Sequence, residues 1–221
     1  MIEIINSGNY ASEKATLDAF EINTSDHIKL ILDNPHTLIF NSQSFILNYR
    51  DRYYQSLLKT QHPLLSAIGQ QSGSLLDACG GFGKDSFILA HQGLQVTTCE
   101  ENPIIAILLQ QAVQNYCQKY PLSWRARQGP SQQAMKPSSF DIVYLDPMFQ
   151  VNRTAKPKLS MQIIQSLSSS KPFFDWKLAW ETAVSRLVIK QHQKSPIIDA
   201  LPKPNMQIKG KQNIRYDIYI K

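Results

Sequence analysis

Residues 74–93, SLLDACGGFGKDSFILAHQG, contain a strand, a tight turn and a helix in immediate succession. The apolar run that begins at Leu75 is typical of a buried strand, and the three glycines after it allow a sharp turn. The next apolar positions have the spacing of a helix that ends at Gly93. A strand that enters a helix through a glycine-rich turn is the repeating unit of a parallel α/β sheet.

The same alternation of strands and helices continues to the last residue. The patterns predict further strands at 94–101, 124–129, 140–146 and 186–191, helices at 102–120 and 175–185, and a closing hairpin from 206–210 and 213–221. Asn102 and Pro103 are the N-cap and first position expected for the longer helix. We therefore expect a seven-stranded α/β sheet of Rossmann-like type whose last strand is antiparallel.

The first part of the chain has a different pattern. Residues 29–33 and 37–41 predict two short strands joined at Asn34 and Pro35, and residues 44–69 are partly helical. The polar stretch QQSGS at 70–74 is typical of a boundary. We predict a small N-terminal α/β subdomain over residues 1–72 and a ligand-binding domain over residues 73–221.

Charge is distributed unevenly along the 221 residues. Residues 151–221 hold 13 Lys and Arg against 4 Asp and Glu, a net charge of +9, whereas the whole chain carries +6. This asymmetry favours an anionic partner such as nucleic acid, and a solvated basic surface is the alternative. No apolar run approaches the length of a membrane span, and the N-terminus lacks the layout of a signal peptide. The three cysteines, without C-x-x-C spacing, predict neither a disulfide framework nor a metal site, and favour a cytoplasmic location.

Ligands of such folds bind beyond the carboxyl ends of the strands. The first turn, DACGGFGKD at 77–85, offers glycine backbone and a helix N-terminus, but it lacks the ending of a triphosphate-binding loop. The second strand ends in Glu100 and Glu101, and acids at this spacing suit the hydroxyls of a ribose. These two features are compatible with a nicotinamide dinucleotide or with S-adenosylmethionine, and each one taken singly could be purely structural.

The strand at 140–146 separates these alternatives, because it ends in Asp146-Pro147-Met148-Phe149. The Asp side chain and a carbonyl held by the proline can accept N–H bonds from an exocyclic base amine and aim its lone pair at a methyl donor. Phe149 can stack on a flipped base. This arrangement predicts an amino-group methyltransferase that uses S-adenosylmethionine; an Asp-Pro turn beside a core phenylalanine is the structural alternative.

The chain resembles the bacterial small-subunit (16S) ribosomal RNA guanine-N2 methyltransferase J family, a class I S-adenosylmethionine-dependent group. The resemblance covers residues 75–221 and is carried by the segments LLDACGGFGKDSFILAHQG, CEENPIIAILL, VYLDPMF, QSL, VIK and GKQNIRYDIY. It implies the class I methyltransferase fold and transfer of a methyl group to the N2 of a guanosine. The resemblance and the glycine turn together predict which residues contact the cofactor. These are Asp77, Gly81, Gly83, Lys84, Asp85, Glu100, Glu101, Gly129, Pro130 and Asp146. Asp146, Pro147 and Phe149 are the predicted catalytic residues.

The predicted partner is ribosomal RNA or the small ribosomal subunit, and we expect the protein to be a monomer. The family has basic segments before the first strand and after Phe149, where this chain has NYRDRYYQSLLK at 48–59 and KLSM at 158–161. The predicted RNA contacts are Arg50, Arg52, Lys156, Lys158, Lys190, Lys209, Lys211 and Arg215. Two further hypotheses stay open from the sequence: methylation of another substrate, such as adenine N6, another RNA or a protein amide, and a non-catalytic RNA-binding module of the same fold.

Overall fold

A computed structural model describes residues 2–6, 10–19, 26–147, 157–168 and 174–221 of the chain. The first part of the chain forms a four-stranded sheet with flanking helices. Its elements are β1 (Ile2–Asn6), α1 (Ala11–Asp18), β2 (Ile28–Leu32), β3 (Thr37–Phe40), β4 (Gln43–Phe45), α2 (Arg52–Leu57) and α3 (Pro63–Ile68). The strands lie in the order β1-β2-β3-β4, with β1 parallel to β2 and the other pairs antiparallel. The two predicted strands are therefore present as β2 and β3, whereas β1 and α1 were not predicted.

The rest of the chain forms a larger sheet with helices on its two faces. Its elements are β5 (Ser74–Asp77), α4 (Lys84–His91), β6 (Gln95–Glu100), α5 (Pro103–Cys117), β7 (Trp124–Gln128), a short 3-10 helix (Ser131–Gln133), β8 (Phe140–Leu145), α6 (Leu159–Leu167), α7 (Trp176–Thr182), β9 (Ala183–His192), β10 (Met206–Lys209) and β11 (Ile214–Ile220).

The seven strands lie in the order β7-β6-β5-β8-β9-β11-β10. All neighbouring pairs are parallel except those made by β11, which is antiparallel to both β9 and β10. The strand order reverses between β5 and β8, and this switch point is where ligands of such folds bind. The structure confirms the predicted fold class, including the closing hairpin.

The boundary between α7 and β9 differs from the prediction. The helix predicted over 175–185 ends at Thr182, because the next residues join β9: Ala183 pairs with Phe140, and the Ser185 hydroxyl donates a 2.8 Å hydrogen bond to the Asp141 carbonyl. Tertiary pairing with β8 thus overrides the helical pattern of the sequence. The helix α6 was not predicted as such.

The sheet separates two hydrophobic layers, and alternate residues of its strands contribute to each. Leu75 and Val188 face the layer that contains α3 to α6, whereas Leu76 and Ile189 face α7. This two-sided burial explains why the central strands read as continuous apolar runs. Among the described residues, no helix is both long and apolar enough to cross a membrane.

The first part of the chain shares its hydrophobic core with the main sheet. Leu30 of β2 and Leu38 of β3 belong to the same buried cluster as Phe87 of α4. The Arg186 guanidinium of β9 donates hydrogen bonds of 2.9 and 2.8 Å to the carbonyls of Ala67 and Ile68 at the end of α3. The predicted division between residues 72 and 73 stays a prediction.

Candidate active site

The turn after β5 lies against β6, and its glycines are required by that packing. The Gly80 amide donates a 2.8 Å hydrogen bond to the Cys99 carbonyl, and a Cβ at Gly80 would come within 2.9 Å of this oxygen. Gly83 has φ +64° and precedes α4, where a Cβ would lie 2.6 Å from the Tyr49 hydroxyl. The turn therefore brings its backbone and the start of α4 to the carboxyl edge of the sheet.

Asp77 and its neighbours form a buried polar chain under this turn. The Ser86 hydroxyl donates a 2.6 Å hydrogen bond to Asp77 Oδ2, and the Trp124 indole donates to Thr98 Oγ1, which lies 2.6 Å from Ser86 Oγ. Burial raises the pKa of Asp77 to about 7, against the opposing effect of the Ser86 hydrogen bond. These contacts give Asp77 an internal role in holding the turn, and its predicted contact with the cofactor stays a prediction.

Glu100 joins the glycine turn to the end of β6. Its two carboxylate oxygens accept hydrogen bonds of 2.8 Å from the amides of Gly81 and Asn102. Burial raises the pKa of Glu100, although both amides stabilise the anion. Gly129, which is followed by Pro130 after β7, donates its amide to the Glu100 carbonyl at 2.9 Å. The structure thus brings these predicted residues together at one edge, with Glu101 exposed beside them.

A lysine and two carboxylates form the centre of the site. Lys190 Nζ, from β9, lies 2.9 Å from Asp85 Oδ2 and 2.6 Å from Asp146 Oδ2. The Tyr144 hydroxyl donates a 2.6 Å hydrogen bond to the same oxygen of Asp85. The side chains of Lys190 and Asp85 are 16% and 14% exposed, and that of Asp146 is 33% exposed, so Asp146 is the more accessible carboxylate. Pro147, directly after it, is buried.

The ionisation of the three groups is coupled. Burial raises the pKa of Asp146, as does the charge of Asp85, whereas Lys190 acts in the opposite direction. Burial also disfavours the Asp85 anion, but Lys190 and the Tyr144 hydroxyl outweigh it and lower the pKa of Asp85. For Lys190, the two carboxylates outweigh burial and raise its pKa above the usual value. The group therefore contains two carboxylates and one firmly charged ammonium.

Two of the predicted RNA contacts have a different role in the structure. Lys190 does not face outward as a phosphate contact would, because its ammonium is directed at Asp85 and Asp146. Arg215 is buried, and its guanidinium donates to Asp217 and to the carbonyls of Gln193, Ser195 and Pro196. All five of its N–H groups are engaged, so the prediction that Arg215 binds phosphate is corrected to a structural role.

The other described basic residues of the prediction are exposed. Arg50 and Arg52 make no ion pair with any described residue. The Lys158 ammonium lies over the ring of Tyr53, 4.6 Å from its centroid, and Tyr53 itself is 44% exposed. Lys209 ends β10 and Lys211 follows it, at the same edge of the sheet as Lys190. Lys84 is exposed at the start of α4. Phe149 and Lys156 lie outside the described residues.

Helix α6 is attached at both of its ends. Lys158 precedes its first residue and contacts Tyr53, and the Asn102 amide nitrogen donates a 2.9 Å hydrogen bond to the Leu167 carbonyl at its last residue. Asn102 also accepts from the amides of Ile104 and Ile105, as its predicted N-cap role requires. Asn102, the N-cap of α5, therefore also holds the C-terminal end of α6.

Sequence reasoning missed Tyr144 and Tyr49 as supporting residues of the site. Tyr144 lies within the apolar run of β8, and only alternation along the strand, which places it on the α4 side, could have suggested its contact with Asp85. Tyr49 donates a 3.1 Å hydrogen bond to the Phe82 carbonyl in the glycine turn. No local pattern connects two residues so far apart in the chain.

The residues at this edge fit S-adenosylmethionine. Asp85, Asp146 and Lys190 together carry one net negative charge, which suits a ligand with cationic sulfonium and ammonium groups. Each Glu100 oxygen keeps a lone pair that can accept from a ribose hydroxyl. Among the described residues, a Cβ at Gly81 would have only Ile164 Cδ1 within 4 Å, at 3.5 Å, so these residues leave space above the turn. In the described ranges, no cluster of His, Cys, Asp and Glu is arranged to hold a metal ion.

Comparisons with known proteins identify the family of this chain. Residues 19–221 match the family model described as putative SAM-dependent methyltransferase. Proteins named ribosomal RNA small subunit methyltransferase J are 33% identical to this chain in Tolumonas auensis, over 171 residues, and in Shewanella sediminis, over 172 residues. The alignments cover 71% and 72% of this chain and 68% and 66% of the relatives, about two thirds of their length.

The fold is also that of a solved methyltransferase. The crystal structure of a SAM-dependent methyltransferase from Neisseria gonorrhoeae has a TM-score of 0.69 and 20% identity, covering 100% of this chain and 96% of the other. The switch-point site, the family model and the relatives lead to one assignment. The chain is an S-adenosylmethionine-dependent methyltransferase that belongs to the ribosomal RNA small subunit methyltransferase J family.

Proposed function

We propose that this protein transfers a methyl group from S-adenosylmethionine to the exocyclic N2 of a guanosine in small-subunit ribosomal RNA. The observation that carries the proposal is the position of Asp146. Its carboxylate lies at the carboxyl end of β8, is partly accessible, and is held by Lys190 beside the turn that precedes α4. The names of the relatives support ribosomal RNA as the substrate.

The chemistry follows from the residue types. The exocyclic amine of guanine is a weak nucleophile, because its lone pair is delocalised into the ring. An Asp146 oxygen accepts an N–H of this amine and orients the lone pair, and the rigid Pro147 limits the positions that the carboxylate can take. When bound, S-adenosylmethionine supplies an electrophilic methyl group. The methylated amine is strongly acidic and loses its proton to Asp146 or to water, so no further general base is required.

We propose that the cofactor is held by Gly81, Lys84, Asp85, Glu100 and Asp146, with Gly83, Glu101, Gly129 and Pro130 nearby. Asp85 and Asp146 act on its cationic groups and Glu100 on its ribose. The support is that Gly81, Glu100 and Asp146 follow or end three neighbouring strands, β5, β6 and β8, and that Lys84 and Asp85 begin α4, beside the switch point of the sheet.

RNA is proposed to approach over two exposed basic groups near this edge. One group is Arg50, Arg52 and Lys158, with the exposed Tyr53 ring between them as a surface on which a base can stack. The other is Lys209 and Lys211 on the closing hairpin. Phe149 as a stacking residue and Lys156 as a phosphate contact remain part of the proposal.

The remaining parts of the proposal concern the state of the protein. We propose a monomer that acts in the cytoplasm, where ribosomal RNA is made and processed in bacteria. The three cysteines are free, which is compatible with a reducing compartment. Light scattering coupled to gel filtration measures the oligomeric state directly.

Nucleoside mass spectrometry tests the function. Ribosomal RNA from a strain that lacks this gene should contain less N2-methylguanosine than the parent, and the wild-type gene should restore it. The gene carrying Asp146→Ala should not restore it although the variant accumulates normally. If another methylated nucleoside is lost instead, that nucleoside is the product of the enzyme. An unchanged nucleoside profile in all strains would contradict an RNA substrate.

A further inference from the structure

We propose that Lys190 is a positioning residue that keeps Asp146 unprotonated and leaves one of its oxygens directed at the substrate amine. This inference rests on the proposed role of Asp146 as the acceptor of that amine. It gives Lys190 a part in the reaction that differs from the RNA contact predicted from the sequence.

The two carboxylate oxygens of Asp146 have different contacts. Lys190 Nζ is 2.6 Å from Oδ2, whereas Oδ1 makes no hydrogen bond with any described residue. A charge-assisted hydrogen bond to one oxygen fixes the rotation of the carboxylate, so the other oxygen has a defined direction. Lys190 itself is held by its second contact, 2.9 Å from Asp85 Oδ2, and by its place within β9.

A cation is needed here because Asp146 shares its surroundings with other acidic groups. Asp85 contacts the same ammonium, and the nearby ionisable groups on the surrounding elements are Asp77 on β5, Cys79 after it, Lys84 on α4, Tyr144 on β8 and Tyr216 on β11. Two carboxylates brought together without a cation tend to share one proton, since the second negative charge is unfavourable. Lys84, the other cation in this set, is exposed at the start of α4.

The protonation state of Asp146 determines how strongly it binds the amine. An ionised carboxylate accepts hydrogen bonds at both oxygens, whereas a protonated one is neutral, presents an O–H donor at one oxygen and accepts only weakly at the other. Its hydrogen bond to the amine is therefore weaker, and the O–H is repelled by the N–H groups of the amine. Removal of the Lys190 charge should therefore raise the pKa of Asp146 and make methyl transfer depend on pH, with activity recovering as the pH rises.

A phosphate contact by Lys190 would have different consequences. Loss of a phosphate contact weakens RNA binding, reduces the salt dependence of that binding and raises KM, while kcat keeps its pH profile. Loss of a positioning residue lowers kcat at pH values below the raised Asp146 midpoint and leaves the salt dependence of RNA binding unchanged. The split between kcat and KM thus separates the two roles.

The test compares Lys190→Met, which removes the charge at similar length, with Lys190→Arg, which keeps it. Lys29→Met is the matched control, because Lys29 is also a strand lysine with a carboxylate partner, Glu3, 3.2 Å away in the N-terminal sheet. Carbon-13 NMR of labelled aspartate carboxyls, with the Asp146 signal assigned through Asp146→Asn, follows the ionisation of Asp146 in the whole protein without any substrate. Steady-state kinetics with RNA across about pH 6–9 follow the reaction.

We expect the Asp146 titration midpoint to rise by about one pH unit or more in Lys190→Met, with kcat reduced at pH values below the new midpoint and restored above it. Lys190→Arg and Lys29→Met should keep the wild-type midpoint and pH profile. If Lys190→Met does not fold, Lys190→Gln removes the same charge with a polar side chain and should show the same shift. An unchanged Asp146 midpoint in folded Lys190→Met or Lys190→Gln overturns the inference. If the wild-type protein does not methylate RNA, the proposed function fails, and the NMR titration still decides whether Lys190 controls Asp146.

Discussion

The hydroxyl of Tyr49 donates a 3.1 Å hydrogen bond to the backbone carbonyl of Phe82, which lies between the glycines of the cofactor turn. Tyr49 is 1% exposed and packs against Phe87 and Trp124, with ring centroids 5.3 and 4.8 Å away. Tyr49, which precedes the main sheet in the sequence, therefore supports the glycine turn through this hydrogen bond. The first part of the chain is in this way a component of the site.

Replacement of Tyr49 should affect both stability and cofactor binding. Tyr49→Phe removes one buried hydrogen bond and should lower the free energy of unfolding by about 1 kcal/mol, while Tyr49→Ala also leaves a cavity and should cost about 3–5 kcal/mol. Urea denaturation measures both values. Calorimetry on Tyr49→Phe should show weaker binding of S-adenosylmethionine, because the Phe82 carbonyl loses its partner. Affinity equal to wild type would show that the turn keeps its shape without this bond. Tyr10→Phe, at a half-buried tyrosine beside His36, is the control.

Removal of single carboxylates at the switch point should weaken cofactor binding. Asp85→Ala and Glu100→Ala should each reduce the affinity for S-adenosylmethionine by about 1–3 kcal/mol, since each leaves a polar partner unpaired. Isothermal calorimetry provides the affinities, and Asp199→Ala, at an exposed position outside the site, provides the control. Wild-type affinity in both variants would refute the placement of the cofactor.

Substitution of Asp146 should affect turnover more than RNA binding. Asp146→Ala should lower kcat about tenfold or more, equivalent to at least about 1.4 kcal/mol, because its interaction with the amine is most important in the transition state. Asp146→Asn keeps the shape and one acceptor oxygen and isolates the contribution of charge. Single-turnover kinetics, combined with RNA binding by fluorescence anisotropy, measure the two effects separately. A folded Asp146→Ala protein that binds the cofactor and methylates RNA at the wild-type rate would disprove the proposed chemistry.

The exposed basic residues near α2 should determine part of the salt dependence of RNA binding. In the double variant Arg50→Ala/Arg52→Ala, the slope of log affinity against log salt should decrease by about 0.7 for each lost contact with single-stranded RNA. Tyr53→Ala should weaken binding by about 1–3 kcal/mol without a change in slope, because stacking does not release counterions.

Lys119→Ala is the control for these variants, since Lys119 is an exposed residue beyond the opposite end of α5 from the site. Filter binding or anisotropy at several salt concentrations gives the slopes. An unchanged slope in the double arginine variant would place the RNA elsewhere on the protein.

The sequence predicts the main sheet well because its signals are local. The apolar run at Ile142 and Val143, the glycines near residue 80 and the Asn102 cap each define an element within a few residues. Burial on both faces of the sheet strengthens these patterns. The order of the strands then places the ends of β5, β6 and β8 side by side, so most of the predicted cofactor residues meet.

Contacts between distant residues could not be predicted in the same way. The sequence predicts Lys190 and Arg215 as RNA contacts, and only the folded structure shows that one faces two carboxylates and the other Asp217. Net charge describes how many cations a segment contains, not which of them are already paired. The strand at Ala183 shows the same limit for secondary structure, because its pairing with Phe140 depends on a residue far away in sequence.

The attachment of α6 at both ends has a consequence for the segment that joins it to β8. Pro147 is buried at one side of the ten-residue segment 148–157, and Lys158 is held on Tyr53 at the other, while Asn102 fixes the far end of the helix. The segment therefore connects two points whose separation is set by the rest of the protein. The contacts of Asn102 and Tyr53 hold α6 from outside this segment, so the position of the helix does not depend on which residues the segment contains.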